Sequence, residues 1–139
     1  MYILQTKATF DSAHFLKDYD GKCANIHGHR WTVEVELARE EVQSDGQCRG
    51  MVMDFSEVKG VLRAEADRLD HCLLIEQGSL KPATMAALMD EKFRIIEFPF
   101  RPTAENFAKY FYDQMKLKGY PMTRVRVYET PENCAGYEE

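Results

Sequence analysis

Two stretches of this chain alternate apolar and polar residues with the period of a β-strand, and both run into histidines. From Gly28 to Ala38 the alternation is clean: His27, His29, Trp31, Val33, Val35 and Leu37 share one parity, while Gly28, Arg30, Thr32, Glu34 and Glu36 share the other. Earlier in the chain, Tyr2, Leu4, Ala8, Phe10 and His14 fall on one parity, with Ile3 the main apolar exception. Successive strand side chains point to opposite faces, so all three histidines belong to apolar faces. Antiparallel pairing of the two segments lays the end of the first beside the start of the second. His14 is then expected next to His27 and His29, at the mouth of a hairpin.

A single buried histidine is most often a core residue hydrogen-bonded to backbone. Three imidazoles aimed at one point from matched faces instead suit a catalytic zinc site that keeps a coordination position open. Cys23, four residues before His27, leaves a second option, a closed structural zinc site with its thiolate as fourth ligand. Spacing alone does not separate the two.

The 139 residues are expected to form a single domain spanning 1–139, long enough for a core without disulfide staples. Its 45% hydrophobic and 29% charged residues are those of an ordinary globular chain. The start, Met1-Tyr2-Ile3-Leu4-Gln5-Thr6-Lys7, lacks the apolar core of a signal peptide, and no window is long enough to span a bilayer, which predicts a cytoplasmic protein. The cysteines at 23, 48, 72 and 134 form no C-x-x-C pair and are expected as free thiols. With a net charge of −5 and scattered basic residues, no nucleic-acid surface is expected. An anionic small substrate would need a local basic pocket, for which Lys17, Lys22 and Arg30 are candidates beside ordinary solvated charges.

Between the two strands, Phe15 to Asn25 reads as a polar loop that delivers Cys23 to the histidines. Glu41 to Gly50 is turn-rich, and the apolar run Met51-Val52-Met53 is expected to rejoin the sheet. Asp54 and Glu57 stand at capping-box spacing before Val58, Val61, Leu62, Ala66 and Leu69, predicting a helix from about Phe55 to Leu69 that ends at Asp70-His71. Cys72 to Asp90 has no clean period, and Phe93 to Phe98 reads as a short edge strand. Thr103 caps a second helix carrying Phe107, Ala108, Phe111 and Met115, closed by Gly119. A strand over Arg124 to Thr130 follows, and Glu132 to Glu139 is a candidate final strand. Glu129 continues the apolar parity of Val125 and Val127; its sequence context, ahead of Thr130-Pro131, favours a frayed strand end over a buried functional carboxylate. The order predicts an α+β fold, an antiparallel sheet with two helices on one face, whose open edges invite oligomerisation.

Phe10-Asp11-Ser12-Ala13-His14, Cys23-x-x-x-His27-Gly28-His29, Leu69-Asp70-His71, Pro102-Thr103-Ala104-Glu105-Asn106 and Tyr128-Glu129-Thr130 stand in the order seen in the 6-pyruvoyl-tetrahydropterin synthase superfamily, which the chain resembles over nearly its whole length. The three-residue gap between Cys23 and His27 is similar to that of the bacterial 6-carboxytetrahydropterin synthases of queuosine biosynthesis; the 6-pyruvoyl enzymes typically have a wider one. A third branch places a glutamate in this loop, and none lies between Phe15 and Arg30. Arg30-Trp31 after the His-Gly-His motif is a mild departure.

The resemblance implies a tunnelling fold, whose subunits join sheets into a barrel as a trimer that stacks into a hexamer. It also implies a lyase acting on 7,8-dihydroneopterin triphosphate, with Zn2+ held by His14, His27 and His29. Cys23 would be the base, activated by the nearby positive charge. Asp70 and His71 would form a proton relay reaching a neighbouring subunit's site, although adjacent residues in regular structure seldom bond side chain to side chain. Glu129 would accept hydrogen bonds from the 2-amino group and ring N–H of the pterin, with Glu105 and Thr103 near the same end of the pocket. For Glu105 and Thr103, helix capping is an equal explanation. The carboxy branch implies acetaldehyde and triphosphate as co-products. The rival readings are a 6-pyruvoyl synthase, which keeps the three-carbon side chain, and a non-catalytic zinc-stabilised binding module.

Overall fold

The computed structural model describes residues 1–139. Strands β1 (Tyr2–His14) and β2 (His27–Arg39) form a long antiparallel hairpin. Helix α1 (Phe55–Leu69), strand β3 (Cys72–Glu76), helix α2 (Pro82–Asp90) and strand β4 (Ile95–Phe98) follow, then helix α3 (Ala104–Leu117) and strands β5 (Met122–Tyr128) and β6 (Cys134–Glu138). All six strands lie in one sheet, in the order β4-β3-β1-β2-β5-β6.

The α+β class and both long strands match the sequence expectation, and so do α1 and α3. The sheet is mixed, however: β3 runs parallel to β1, and β4 parallel to β3. A parallel neighbour needs a crossover, and α2 supplies the one between β3 and β4. This third helix buries none of its residues, which is why it leaves no amphipathic signature in the sequence. Met51-Val52-Met53 does not rejoin the sheet. The Met51 amide and carbonyl bond to Cys48 and Gln43 within the local turn, and Val52 plugs the core.

The core lies between one sheet face and helices α1 and α3. Helix α3 contributes Phe107, Ala108, Phe111, Tyr112 and Met115, a stripe at helical spacing, and α1 contributes Val58, Leu62, Ala66 and Leu69. Trp31 is wholly buried, stacked on Phe10 with ring centroids 5.9 Å apart and set edge-on to Phe107 at 5.2 Å. The opposite sheet face carries charge ladders such as Glu34 with Arg126 at 2.9 Å. At α1, Asp54 caps through Ser56 and not through a reciprocal box, because Glu57 turns to the Tyr120 hydroxyl. No helix is long and apolar enough to cross a membrane.

Candidate active site at the mouth of the hairpin

The hairpin register sets His14 directly opposite His27, and Ser12 opposite His29. The three imidazoles crowd together, with centroids 4.5 Å apart for His14 and His27, 5.1 Å for His14 and His29, and 4.8 Å for His27 and His29. One ligand atom from each lies within 4.8 Å of the others. Trp31, next on the same parity, seals the inner side, 4.9 Å from His14 and 5.5 Å from His29.

Backbone carbonyls orient two of the rings. His14 Nδ1 donates to the Pro102 carbonyl and His27 Nδ1 to that of Asn25, each at 2.7 Å. A carbonyl only accepts, so both Nδ1 atoms carry the hydrogen and both Nε2 atoms present a lone pair. The Nε2 atoms of all three histidines are buried without a hydrogen-bond partner. Three crowded imidazoles, two of them with an Nε2 lone pair fixed by outer-shell carbonyls, fit the donor set of a metal centre. Burial keeps His14 neutral, pushing its pKa down to about 4, and lowers that of His29 as well. Neutral imidazole is the form that binds a metal.

Cys23 sits half-buried in a single 3-10 turn, Lys22–Ala24. Its carbonyl accepts from the Leu16 amide at 2.8 Å, while Asn25 bonds back to Lys22 and accepts from His27, so the loop is tied at both ends. The close ligand cluster comprises the three histidines and does not include Cys23.

Glu129 follows the last residue of β5, and its amide is held by the Asn133 carbonyl at 3.1 Å. Its side chain is largely shielded and brings Oε1 to 3.3 Å from His29 Nε2 without hydrogen-bond geometry. Glu129 therefore stands just past the strand end, as its sequence context suggests, but half-buried against His29. Thr103, Glu105 and Glu129 together line a cavity of about 300 Å³ with Leu16 and Asn133. Thr103 also caps α3, accepting from the Asn106 amide at 3.3 Å.

Asp70 and His71 do bond side chain to side chain, with His71 Nδ1 and Asp70 Oδ2 2.7 Å apart. His71 has φ +57°, a left-handed conformation that folds its ring back onto its neighbour and that few non-glycine residues adopt. The pair stands outside the close cluster of the three histidines. Ser12 of β1 is flanked by His29 on one side and Cys72 on the other, a separation of about 10 Å across two strand spacings. His71 and His29 both line a cavity of about 720 Å³, together with Asp11, Ile26, Arg30 and Phe93.

Of the basic-pocket candidates, Arg30 is committed elsewhere, in a two-point pair with Asp11 at 2.9 and 3.0 Å. The carbonyls of Asn25 and Pro102 had no sequence signal, since a backbone group acts whatever its side chain.

The protein-family profile described as 6-pyruvoyl tetrahydropterin synthase matches residues 3–139. A 6-carboxy-5,6,7,8-tetrahydropterin synthase of Haemophilus influenzae is 31% identical over 142 aligned residues, covering 100% of both chains. One from Aquifex aeolicus is 30% identical, covering 91% of this chain and 83% of its own. Among solved structures, an uncharacterized protein from Wolinella succinogenes superposes with a TM-score of 0.83 at 20% identity, covering 99% of this chain and 98% of the other. The 6-pyruvoyl tetrahydropterin synthase of Caenorhabditis elegans does so with a TM-score of 0.70 at 26% identity, covering 99% and 95%. A profile matched almost end to end, full-length relatives and a shared fold together establish that the chain belongs to the 6-pyruvoyl tetrahydropterin synthase family.

Proposed function

We propose that this chain is a 6-carboxy-5,6,7,8-tetrahydropterin synthase, a lyase that converts 7,8-dihydroneopterin triphosphate and water to the carboxypterin, acetaldehyde and triphosphate, as an early step of queuosine biosynthesis. The observation that carries the reading is the end-to-end match to the Haemophilus influenzae enzyme in a chain whose three histidine Nε2 atoms converge unpartnered. His14, His27 and His29 would hold the metal, and the three-nitrogen set with an open position suits zinc. Bound there, zinc supplies Lewis acidity to the hydroxyls of the substrate side chain.

The protein groups divide the remaining work. Glu129 accepts from the 2-amino and ring N–H groups of the pterin, and Thr103 and Glu105 border the same cavity. Cys23 removes the proton from the side-chain carbon next to the ring, from a loop anchored to a ligand histidine. His71, oriented by Asp70, returns a proton as the bond between the first and second side-chain carbons breaks.

The Asp70-His71 pair stands outside the close histidine cluster, and the largely exposed His71 imidazole is available to a neighbouring subunit's site. Accordingly the active form is a trimer or hexamer, joined through the short edge strands β4 and β6. Four free cysteines suit a reducing, cytoplasmic setting.

Incubation with dihydroneopterin triphosphate, with mass spectrometry of the pterin and trapping of volatile aldehyde, tests the reading. A carboxypterin plus acetaldehyde is expected. A product that keeps its three-carbon side chain, with no acetaldehyde, would assign the chain to 6-pyruvoyl chemistry instead.

A further inference from the structure

The proposed substrate carries a triphosphate, and the residues assigned above meet only its ring and its side chain. A polyanion approaching a chain of net charge −5 needs a local cationic wall. Two cavities are lined by His29, and Lys17 and Lys22 border neither of them.

The cavity of about 610 Å³ also reaches Glu129. Its cations, Lys7 and Arg30, are matched by two carboxylates, Glu34 and Glu129, and Lys7 stands directly opposite Glu34 across the hairpin. The cavity of about 720 Å³ is not balanced in this way. Arg30 and Arg94 line it against one carboxylate, Asp11, and His71 adds nothing of negative sign. Arg30 spends Nε and Nη2 on that carboxylate, at 2.9 and 3.0 Å. Arg94 is left as the excess charge. It makes no ion pair; Nη1 donates to the Asp70 carbonyl at 3.3 Å, and its own carbonyl accepts from the Leu73 amide at 2.9 Å. Leu88 of α2 and the neighbouring Phe93 give this wall an apolar character. Such surroundings strengthen the pull of an uncancelled guanidinium on an anion, and its planar fork matches two phosphate oxygens at once.

We propose that Arg94 binds the triphosphate tail of the substrate, which makes the cavity bordered by α2 and the start of β4 an anion subsite. Tied to the Asp70 carbonyl, Arg94 accompanies the Asp70-His71 pair into whichever subunit's site that pair completes. That the bound polyphosphate is the substrate's tail rests on the proposed function; the anion subsite itself does not.

The test uses the zinc-loaded, assembled protein and inorganic tripolyphosphate as the probe in titration calorimetry, with metal analysis before and after to confirm that zinc stays bound. Arg94→Gln should bind the probe roughly 10- to 100-fold more weakly, the range for a lost charged hydrogen bond. Arg94→Lys should recover part of the loss, and Lys7→Gln, in the balanced cavity, should bind as wild type does. Dihydroneopterin, which has no phosphate, should bind all the variants alike. With the triphosphate substrate the loss should fall on KM and leave kcat near wild type, because the tail contact is the same before and during reaction. An Arg94→Gln variant that binds tripolyphosphate as tightly as wild type overturns the inference, as does a Lys7→Gln variant that loses as much, or a wild type that does not bind the probe. A wild type that binds the probe but does not turn over dihydroneopterin triphosphate refutes the proposed function and leaves the subsite standing. Carboxypterin formation with an unaltered KM in Arg94→Gln refutes the subsite alone.

Discussion

His14 and His27 are direct cross-strand partners whose rings meet at 4.5 Å, each with Nδ1 spent on a carbonyl and Nε2 left without a protein partner. Buried polar atoms without partners are costly, and here three occur within 4.8 Å of one another. A bound cation removes that cost.

The purified protein should therefore carry about one zinc per chain, and His27→Ala or His29→Ala should reduce it to near zero. Metal analysis by plasma mass spectrometry reads the result. Stoichiometric zinc in both variants would place the ligands elsewhere.

Stripped of metal by a chelator, the same cluster should make the protein acid-sensitive. His14 has its pKa lowered to about 4 from an ordinary 6.5, mainly by burial. Between those values the unfolded chain binds a proton that the folded chain refuses, so stability falls as pH drops from about 6.5 towards 4. The loss should amount to a few kcal/mol, and the lowered pKa of His29 adds in the same direction. Urea titrations of chelated protein across this range measure it. A stability independent of pH there would mean that His14 is not sequestered.

The sequence made the site legible because parity is an unambiguous signal: once β1 and β2 pair, His14, His27 and His29 have no other face to occupy. Helices α1 and α3 were legible for the same reason, through stripes such as Phe107, Phe111 and Met115. Strand β3 was not, because Cys-Leu-Leu-Ile-Glu is a nearly continuous apolar run without alternation, as expected for a strand flanked by parallel neighbours. The side-chain bond between Asp70 and His71 was hidden for a different reason. It depends on a positive φ at a histidine, which no local pattern announces.

Cys23 separates catalysis from coordination. It lies near the histidines in sequence but outside their close cluster, so Cys23→Ala should retain zinc and fold while turnover falls by about 10²–10⁴, the usual worth of a general base. Loss of zinc together with the thiol would instead identify a fourth ligand and favour a structural site.

In the proposed function, Glu129 is the group that recognises the pterin ring. It is held by its backbone to Asn133, half-buried and placed at the wall of a cavity that Thr103 and Glu105 also line. Glu129→Gln preserves the shape of the side chain but removes its charge and turns one acceptor into a donor facing the N–H groups of the ring. Pterin binding should weaken by about 2–3 kcal/mol, the range for a broken charged hydrogen bond. Thr103→Ala is the control for the same cavity, because it removes the α3 cap and should cost about 1 kcal/mol of folding stability. Fluorescence titration with a pterin and thermal melts of the two variants give both numbers. A Glu129→Gln variant that binds as tightly as wild type would remove this carboxylate from the pterin site and leave it as the neighbour of His29 alone.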